Sequence, residues 1–189
     1  MALDILVLYG SYRRGRLGIR LADYLIRGFE ELGHKAELVD AQAIGLPMLD
    51  LRYSDYPPGE APAAMAWLAE RLTVADAFVF VAGEYNRGMQ PGLKNLVDHY
   101  LREFDRRPAA IASYSMGRFA GVNSHADWTV TLSAMGMAVV PERLSVGQIG
   151  QTLDEQAQLQ GEGGAALERG FAGFAKNLIW WAEAAKAAR

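Results

Sequence analysis

The segment LYGSYRRGRLGIRLADYL, Leu8 to Leu25, decides how this chain is read. An apolar run, LDILVLY (Leu3–Tyr9), leads into Gly10-Ser11-Tyr12-Arg13-Arg14-Gly15-Arg16-Leu17, and a helical pattern follows. This approximates the triphosphate-binding pattern G-x-x-x-x-G-K-[ST], with Arg16 and Leu17 where lysine and a hydroxyl residue belong. Arg16 can mimic the lysine, but Leu17 cannot ligate magnesium, which disfavours triphosphate chemistry. The dinucleotide fingerprint G-x-G-x-x-G fails as well, because Tyr12 stands at its second glycine. What remains is a hydroxyl and several guanidinium groups at a strand-to-helix turn, a combination suited to one terminal phosphate monoester. There the helix N-terminus aims N–H groups at the anion, and arginine can bind it bidentately. The alternative is a merely solvated charge run; placement at the strand-to-helix turn favours the anion site over it.

Composition sets the bounds. A chain of 189 residues is most economically one domain, here 1–189, able to bury roughly 70% of its unfolded surface without a staple. The absence of cysteine excludes disulfides, thiolate catalysis and cysteine-ligated metal centres, and agrees with a reducing compartment. Leu3–Tyr9 follows only Met1-Ala2, without a basic stretch or cleavage site, and reads as a first strand rather than a signal peptide. No apolar run approaches the roughly 20 residues that span a bilayer. The expectation is a cytoplasmic protein without a membrane partner. A net charge of −3 gives no case for nucleic-acid binding, yet Arg13, Arg14, Arg16 and Arg20 fall within eight residues, so a local anion site is expected.

Short apolar runs at Leu3–Tyr9, Ala36–Val39, Ala77–Ala82 and Ala109–Ser113 alternate with helical stretches, and a fifth strand is expected near Ala138–Val140. Near-continuous apolar strands suit a parallel sheet covered on both faces. Helices are expected over Leu17–Leu32, Ala61–Val74, Gly92–Phe104, Val122–Met135 and Gly164–Ala187, with Gly33 and Gly136 as stops. The alternation predicts a doubly wound α/β sandwich whose ligand lies beyond the carboxyl ends of the strands. Ala41–Pro62 is the least regular segment and is expected as a long surface loop.

Two more loops belong at those strand ends. Gly83-Glu84-Tyr85-Asn86-Arg87-Gly88 combines flanking glycines, which let backbone approach a flat ligand, with an aromatic ring and an amide. Ser113-Tyr114-Ser115-Met116-Gly117-Arg118 is small and polar at the end of the fourth strand. Each alone would pass for an ordinary turn, but three such loops converging on one crevice point to a site.

These residues resemble the NAD(P)H-dependent FMN reductases, with the related quinone, azo-dye and chromate reductases. The resemblance runs from Leu3 to about Gly150. Gly10-Ser11-x-Arg13-x-Gly15-Arg16-x-Gly18 is similar to the family's phosphate loop in an arginine-rich form. Glu84-Tyr85-Asn86 followed by Leu93-Lys94-Asn95 and Asp98 matches its P-E-Y-N…L-K-N-x-x-D pattern, and Ser113-Tyr114 with Ala120-Gly121 is a looser match to an S-Y-G…G-G loop. Gly83 stands where the family usually has proline, Gln90 where another is common, and Ser115 in place of a glycine.

The resemblance implies a flavodoxin-like, doubly wound, five-stranded parallel sheet of order 2-1-3-4-5 with helices on both faces. It implies FMN as cofactor and NADPH or NADH as hydride donor. The implied cofactor-binding residues are Gly10, Ser11, Arg13, Arg16, Leu17 and Gly18 around the phosphate, Glu84, Tyr85, Asn86 and Arg87 along the isoalloxazine, and Ser115, Met116, Gly117 and Arg118 on its other side. No side chain is assigned a catalytic role and no metal is expected, since the flavin carries the chemistry. The implied cycle is ping-pong, from NAD(P)H through FMN to a small-molecule acceptor such as a quinone, free flavin, azo compound or metal oxyanion. The alternative is a flavin-binding electron-transfer module without nicotinamide turnover. Arg87 and Arg118 are candidates for the NADPH 2′-phosphate, and Met89, Met116 and Tyr85 for an apolar wall over the flavin. His34, His99 and His125 lack ligand spacing, and only His125 is placed near the crevice. Trp180 and Trp181 read as core or as surface buried in the homodimer or homotetramer that the resemblance implies.

Overall fold

The computed structural model describes residues 1–189. Strand β1 (Asp4–Tyr9) runs into α1 (Gly18–Glu31), then β2 (Lys35–Asp40), the short α2 (Ala41–Ile44) and α3 (Ala63–Val74). Next come β3 (Ala77–Tyr85), β4 (Gly88–Met89), α4 (Pro91–Asp98), β5 (Pro108–Tyr114) and α5 (Val122–Ala134). The chain closes with β6 (Ala138–Val139), β7 (Leu144–Val146), α6 (Ile149–Thr152) and α7 (Gly161–Ala188). The sheet order is β2-β1-β3-β5-β6, parallel throughout this path, which is the expected 2-1-3-4-5 of the five principal strands. Two refinements apply. The fifth position is shared by two fragments, β6 beside Pro108–Ala109 and β7 beside Ala112–Tyr114, and β4 adds a small antiparallel ladder on the end of β3.

Strand side chains alternate between two apolar layers, as a pleat with period two requires. Leu3, Ile5, Val7 and Tyr9 face α1 and α7, where Leu21, Leu25, Phe29, Phe174 and Leu178 pack. Leu6 and Leu8 face the other way, toward α3, α4 and α5, among Met65, Leu72, Leu96, Trp128 and Leu132. With both faces covered, the strands' polar backbone is satisfied within the sheet, and a sheet of this kind takes its ligand beyond the carboxyl ends of the strands. No helix is long and apolar enough to cross a membrane.

Several expectations change at this level. The predicted helix Gly92–Phe104 stops at Asp98, and Arg102–Phe104 forms a separate 3-10 turn. Ala41–Pro62 is not featureless: Asp40 accepts from the Gln42 N–H and caps α2, and Tyr53–Asp55 forms another 3-10 turn. Trp180 and Trp181 are not core. They stack edge to face with 61% and 37% of their surfaces exposed.

Glycines 10 and 92 fix the geometry of the crevice. A Cβ on Gly10 would lie 2.2 Å from the Leu93 backbone nitrogen, and one on Gly92 would lie 2.5 Å from the Gly10 carbonyl. The end of β1 and the first turn of α4 therefore touch backbone to backbone. Gly10→Ala is expected to cost about 3 kcal/mol or more through overpacking against an atom that cannot step aside. Gly15→Ala, whose Cβ would meet nothing within 4 Å, should lose only the ~1–2 kcal/mol of its left-handed backbone, at φ 65°. Thermal unfolding of the two variants reads the difference.

Candidate functional site

Three loops meet at the carboxyl end of the sheet around a cavity of about 440 Å3. Its lining draws Ser11, Arg13, Arg14, Gly15, Arg16 and Leu17 from the β1–α1 loop, Gly83, Glu84 and Tyr85 from the end of β3, and Tyr114, Ser115, Met116 and Gly117 from the end of β5, with Ile149 from α6. An adjoining cavity of about 390 Å3 shares Arg13 and Tyr85 and continues past Gly10, Tyr12, Met48, Pro91, Gly92 and Asn95.

The β1–α1 loop has the character of an anion site. Leu17 occupies the N-cap of α1 and offers no side-chain cap, and none of the backbone N–H groups from Arg14 to Gly18 donates to an acceptor within the chain. Donors that a helix start cannot satisfy, flanked by three arginines, are a ready partner for a negative ligand. The Ser11 hydroxyl is 2.8 Å from that of Tyr85, which ties this loop to the end of β3. Arg13 lies over the Tyr85 ring, 5.8 Å from its centroid.

At the β3 end, Asn86 and Arg87 are not part of a wide ligand-facing loop. Both have positive φ, 49° and 68°, and form the two-residue turn between Glu84–Tyr85 and Gly88–Met89. Positive φ at both central positions is the turn that matches strand twist in a tight hairpin. Asn86 and Arg87 are exposed and line neither cavity, and Arg118 sits likewise outside, its guanidinium 5.1 Å from the Phe119 ring centroid. The Glu84 carboxylate is engaged elsewhere: it accepts from the Asn123 N–H at 2.9 Å and from its side-chain amide at 3.0 Å. Glu84 thereby caps the first turn of α5, where a negative charge suits the helix dipole.

The L-K-N-x-x-D stretch also turns out to be architectural. Lys94 donates to Asp98 at 2.6 Å, one helical turn on. The Asn95 amide donates to the Pro47 carbonyl at 2.8 Å and accepts from the Leu49 N–H at 2.9 Å, so it clamps the long β2–α3 connection beside the second cavity. Met89 packs with the α3–α5 layer rather than over the crevice, whereas Met116 is exposed at its rim. Gly18 is likewise outside the lining. A Cβ there would lie 2.1 Å from the Tyr114 ring, so this glycine admits the tyrosine instead of a ligand. His125 is buried in α5, where desolvation lowers its pKa, and it does not line either cavity.

Several lining residues lie outside the set expected from the sequence, among them Arg14, Gly83 and Ile149 in the first cavity and Tyr12, Met48, Pro91, Gly92 and Asn95 in the second, and two further groups shape the site from behind. Tyr114 belongs to a motif but not to the expected site; it closes the cavity floor beside Tyr9, and its hydroxyl accepts from the fully buried Gln90 amide at 2.7 Å. Burial raises both tyrosines above the ordinary phenol value, so they act as neutral hydroxyls. Asp40, at the end of β2, forms a bidentate pair with Arg16. Polar residues at strand ends are the available signal, but nothing in spacing links Asp40 to a loop 24 residues earlier.

A doubly wound parallel sheet with an anion-binding first loop and two further loops lining one crevice defines a nucleotide- or flavin-binding class of protein. The chain belongs to the NADPH-dependent FMN reductase family, whose model matches residues 3–151. It is 33% identical over 121 residues to the NAD(P)H-dependent FMN reductase PA1204 of Pseudomonas aeruginosa, covering 62% of each chain. It is 32% identical over 117 residues to an NAD(P)H-dependent FMN reductase of Schizosaccharomyces pombe, covering 58% of this chain and 56% of that one. These matches span under two thirds of the relatives' length. Among solved structures, the flavoenzyme NAD(P)H:(acceptor) oxidoreductase FerB of Paracoccus denitrificans superposes with a TM-score of 0.76 at 22% identity, over 96% of this chain and 98% of that one, a likeness of fold.

Gly83 and Gln90 form one packed unit. A Cβ on Gly83 would lie 2.5 Å from the Gln90 amide nitrogen and 2.9 Å from the Tyr114 ring. Gly83→Ala is expected to displace the amide, break its bond to Tyr114 and destabilise the fold by about 1–3 kcal/mol. Removing the amide in Gly83→Ala/Gln90→Ala should recover part of that loss, a non-additivity that denaturant unfolding of the single and double variants measures.

Proposed function

We propose that the protein is an FMN-dependent NAD(P)H oxidoreductase that passes electrons from NADPH or NADH to a small-molecule acceptor of the quinone, flavin, azo or metal-oxyanion kind. The observation that carries this reading is the set of unpaired N–H groups from Arg14 to Gly18 beside Ser11, Arg13 and Arg16, in one cavity with the ends of β3 and β5. This donor set fits a phosphate monoester, and family membership supports FMN as its bearer. Bound FMN supplies the capacity to accept a hydride and to give its electrons up again.

The chain's own groups then have separable tasks. Ser11, Arg13 and the N–H groups of the loop hold the phosphate. The backbone of Gly83, Glu84 and Tyr85 lines one side of the cavity and Ser115–Gly117 the other, which leaves rigid strand ends to position a flat ring. Tyr114 is a neutral hydroxyl and Asp40 is engaged with Arg16, so the protein's contribution is binding and orientation. The second cavity, walled by Tyr12, Met48, Tyr85 and Pro91, is proposed as the place where nicotinamide and acceptor approach in turn. With Arg87 and Arg118 outside both cavities, Arg13 and Arg14 are better placed than either to meet the extra phosphate of NADPH.

We further propose one FMN-binding domain that acts in the cytoplasm as a homodimer or homotetramer. The groove of about 850 Å3 between α1 and α7, walled by Leu32, Phe171, Ile179 and Trp180, supports a second copy as the partner. No nucleic-acid partner is proposed, because the net charge is −3 and the one tight arginine cluster, Arg13, Arg14 and Arg16, lines a single cavity rather than an extended surface.

The purified protein, loaded with FMN, should show an oxidised flavin spectrum that bleaches when NADPH or NADH is added anaerobically and returns when a quinone is added. A spectrum that both nicotinamides leave unchanged would move the reading to an electron carrier. Arg13→Ala should weaken FMN binding about tenfold or more, as the loss of a charge-assisted contact requires, measured by quenching of flavin fluorescence.

A further inference from the structure

Arg16 lines the cavity, yet it is not a free cation. Its Nη1 and Nη2 donate to Oδ1 and Oδ2 of Asp40 at 2.8 and 2.6 Å, and Nη1 donates again to the Ser11 carbonyl at 3.3 Å. A guanidinium carries five N–H donors in one plane. Asp40 takes the end-on pair and Ser11 takes the second hydrogen of Nη1. Two donors are left, on Nε and the outer side of Nη2, and these share one edge of the plane. A side-on pair of parallel N–H groups matches two oxygens of a phosphate. The guanidinium also rests on the buried Tyr9 ring, 5.5 Å from its centroid, so its orientation is limited from below as well.

Asp40 is suited to hold it. The carboxylate is 7% exposed against 24% for the Arg16 side chain, and its Oδ1 is itself fixed by the Gln42 N–H at 3.0 Å. An arginine left to itself at a loop would sample many rotamers and lose that freedom on binding an anion. Here the pair with Asp40 and the bond to the Ser11 carbonyl fix the guanidinium, so less of that freedom is left to lose. The arrangement also divides the charge: Asp40 offsets Arg16, so a phosphate meets oriented donors from Arg16 and net positive charge from Arg13 and Arg14.

We infer that Asp40 is a positioning residue for phosphate recognition: by engaging the end-on fork of Arg16 it presents the side-on edge to the FMN phosphate, and so sets the preference for FMN over riboflavin. This inference rests on the FMN reading above. Asparagine at position 40 keeps one acceptor but turns a donor toward the guanidinium, which breaks the fork.

The experiment compares dissociation constants of FMN and riboflavin, by flavin fluorescence quenching, for the wild type and for Asp40→Asn, Arg16→Lys and the double variant. Asp40→Asn is expected to weaken FMN roughly tenfold while riboflavin changes less than about twofold. Arg16→Lys, which keeps the charge and loses the planar fork, should reproduce that selective loss and remain measurable if Asp40→Asn proves unstable. When Arg16→Lys is already present, Asp40→Asn should add nothing, because Asp40 acts through Arg16. Equal losses for both flavins would make Asp40 a structural strut, and tighter FMN binding would make it a competitor of the phosphate; either overturns the inference while leaving the FMN reading intact. A wild-type protein that binds neither flavin would overturn both.

Discussion

The end of β1 and the first turn of α4 meet backbone to backbone, at a separation that leaves no room for a side chain at Gly10 or Gly92. This contact sets where the β1–α1 loop leaves the sheet. Tyr12 can then cover Gly92 and donate to the Ala41 carbonyl at 2.7 Å, and Ser11 can reach Tyr85. A side chain at either glycine would push α4 outward and separate the β1–α1 loop from the end of β3, so the two cavities would no longer share Arg13 and Tyr85. The first glycine of the loop therefore serves packing, and Gly15, with open space around it, serves the turn. The resemblance to a triphosphate loop is thus shared spacing without shared roles.

Behind the cavity the protein places polar groups where a sheet of this kind is usually apolar. Tyr9, Tyr114 and Gln90 are buried at the strand ends, joined by the Gln90–Tyr114 bond, and Gly83 makes the space they occupy. Two departures from the family pattern, glycine at 83 and glutamine at 90, are therefore parts of one arrangement: the amide fills the volume that a residue at 83 would otherwise claim. The same region shows why a motif is a poor guide to contacts. Glu84 caps α5, Asn86 and Arg87 turn a hairpin, and Asn95 clamps a distant connection. These side chains are engaged in holding the loops and helices around the site.

Much of this was legible in the sequence because it rests on local pattern. Continuous apolar runs such as AFVFVA mark a strand buried on both faces, and periodic stretches ended by Gly33 and Gly136 mark helices with short connections; alternation of the two sets the topology. The three loops at the strand ends follow from position; within them Ser11, Arg13, Arg16, Leu17, Glu84, Tyr85, Ser115, Met116 and Gly117 line one cavity and Gly10 the other, whereas Gly18, Asn86, Arg87 and Arg118 line neither. What was not legible depends on contacts distant in sequence. The fifth strand was expected near Ala138–Val140, where β6 lies, but its second fragment, β7 beyond Pro141, is only three residues long and carries no pattern of its own. Asp40 reads as an ordinary strand-end carboxylate until β2 is placed beside β1. Tyr114 reads as part of a buried strand until Gly18 and Gly83 are seen to make space for its ring.

The arginine-rich form of the loop has a structural consequence of its own. A hydroxyl at position 16 would be small and neutral, and would need no partner when the site is open. An arginine there carries a full charge into a region walled by Tyr9 and Tyr114, where an unpaired cation is poorly solvated. The fold answers with a carboxylate from the neighbouring strand, fixed by the helix that follows it, and the pairing further favours the charged guanidinium. Charge at the loop and polarity at the end of β2 are therefore one requirement rather than two. Because the carboxylate approaches end-on from the β2 side, the donors on Nε and the outer side of Nη2 have no partner within the chain, and the ion pair leaves one edge of the guanidinium open.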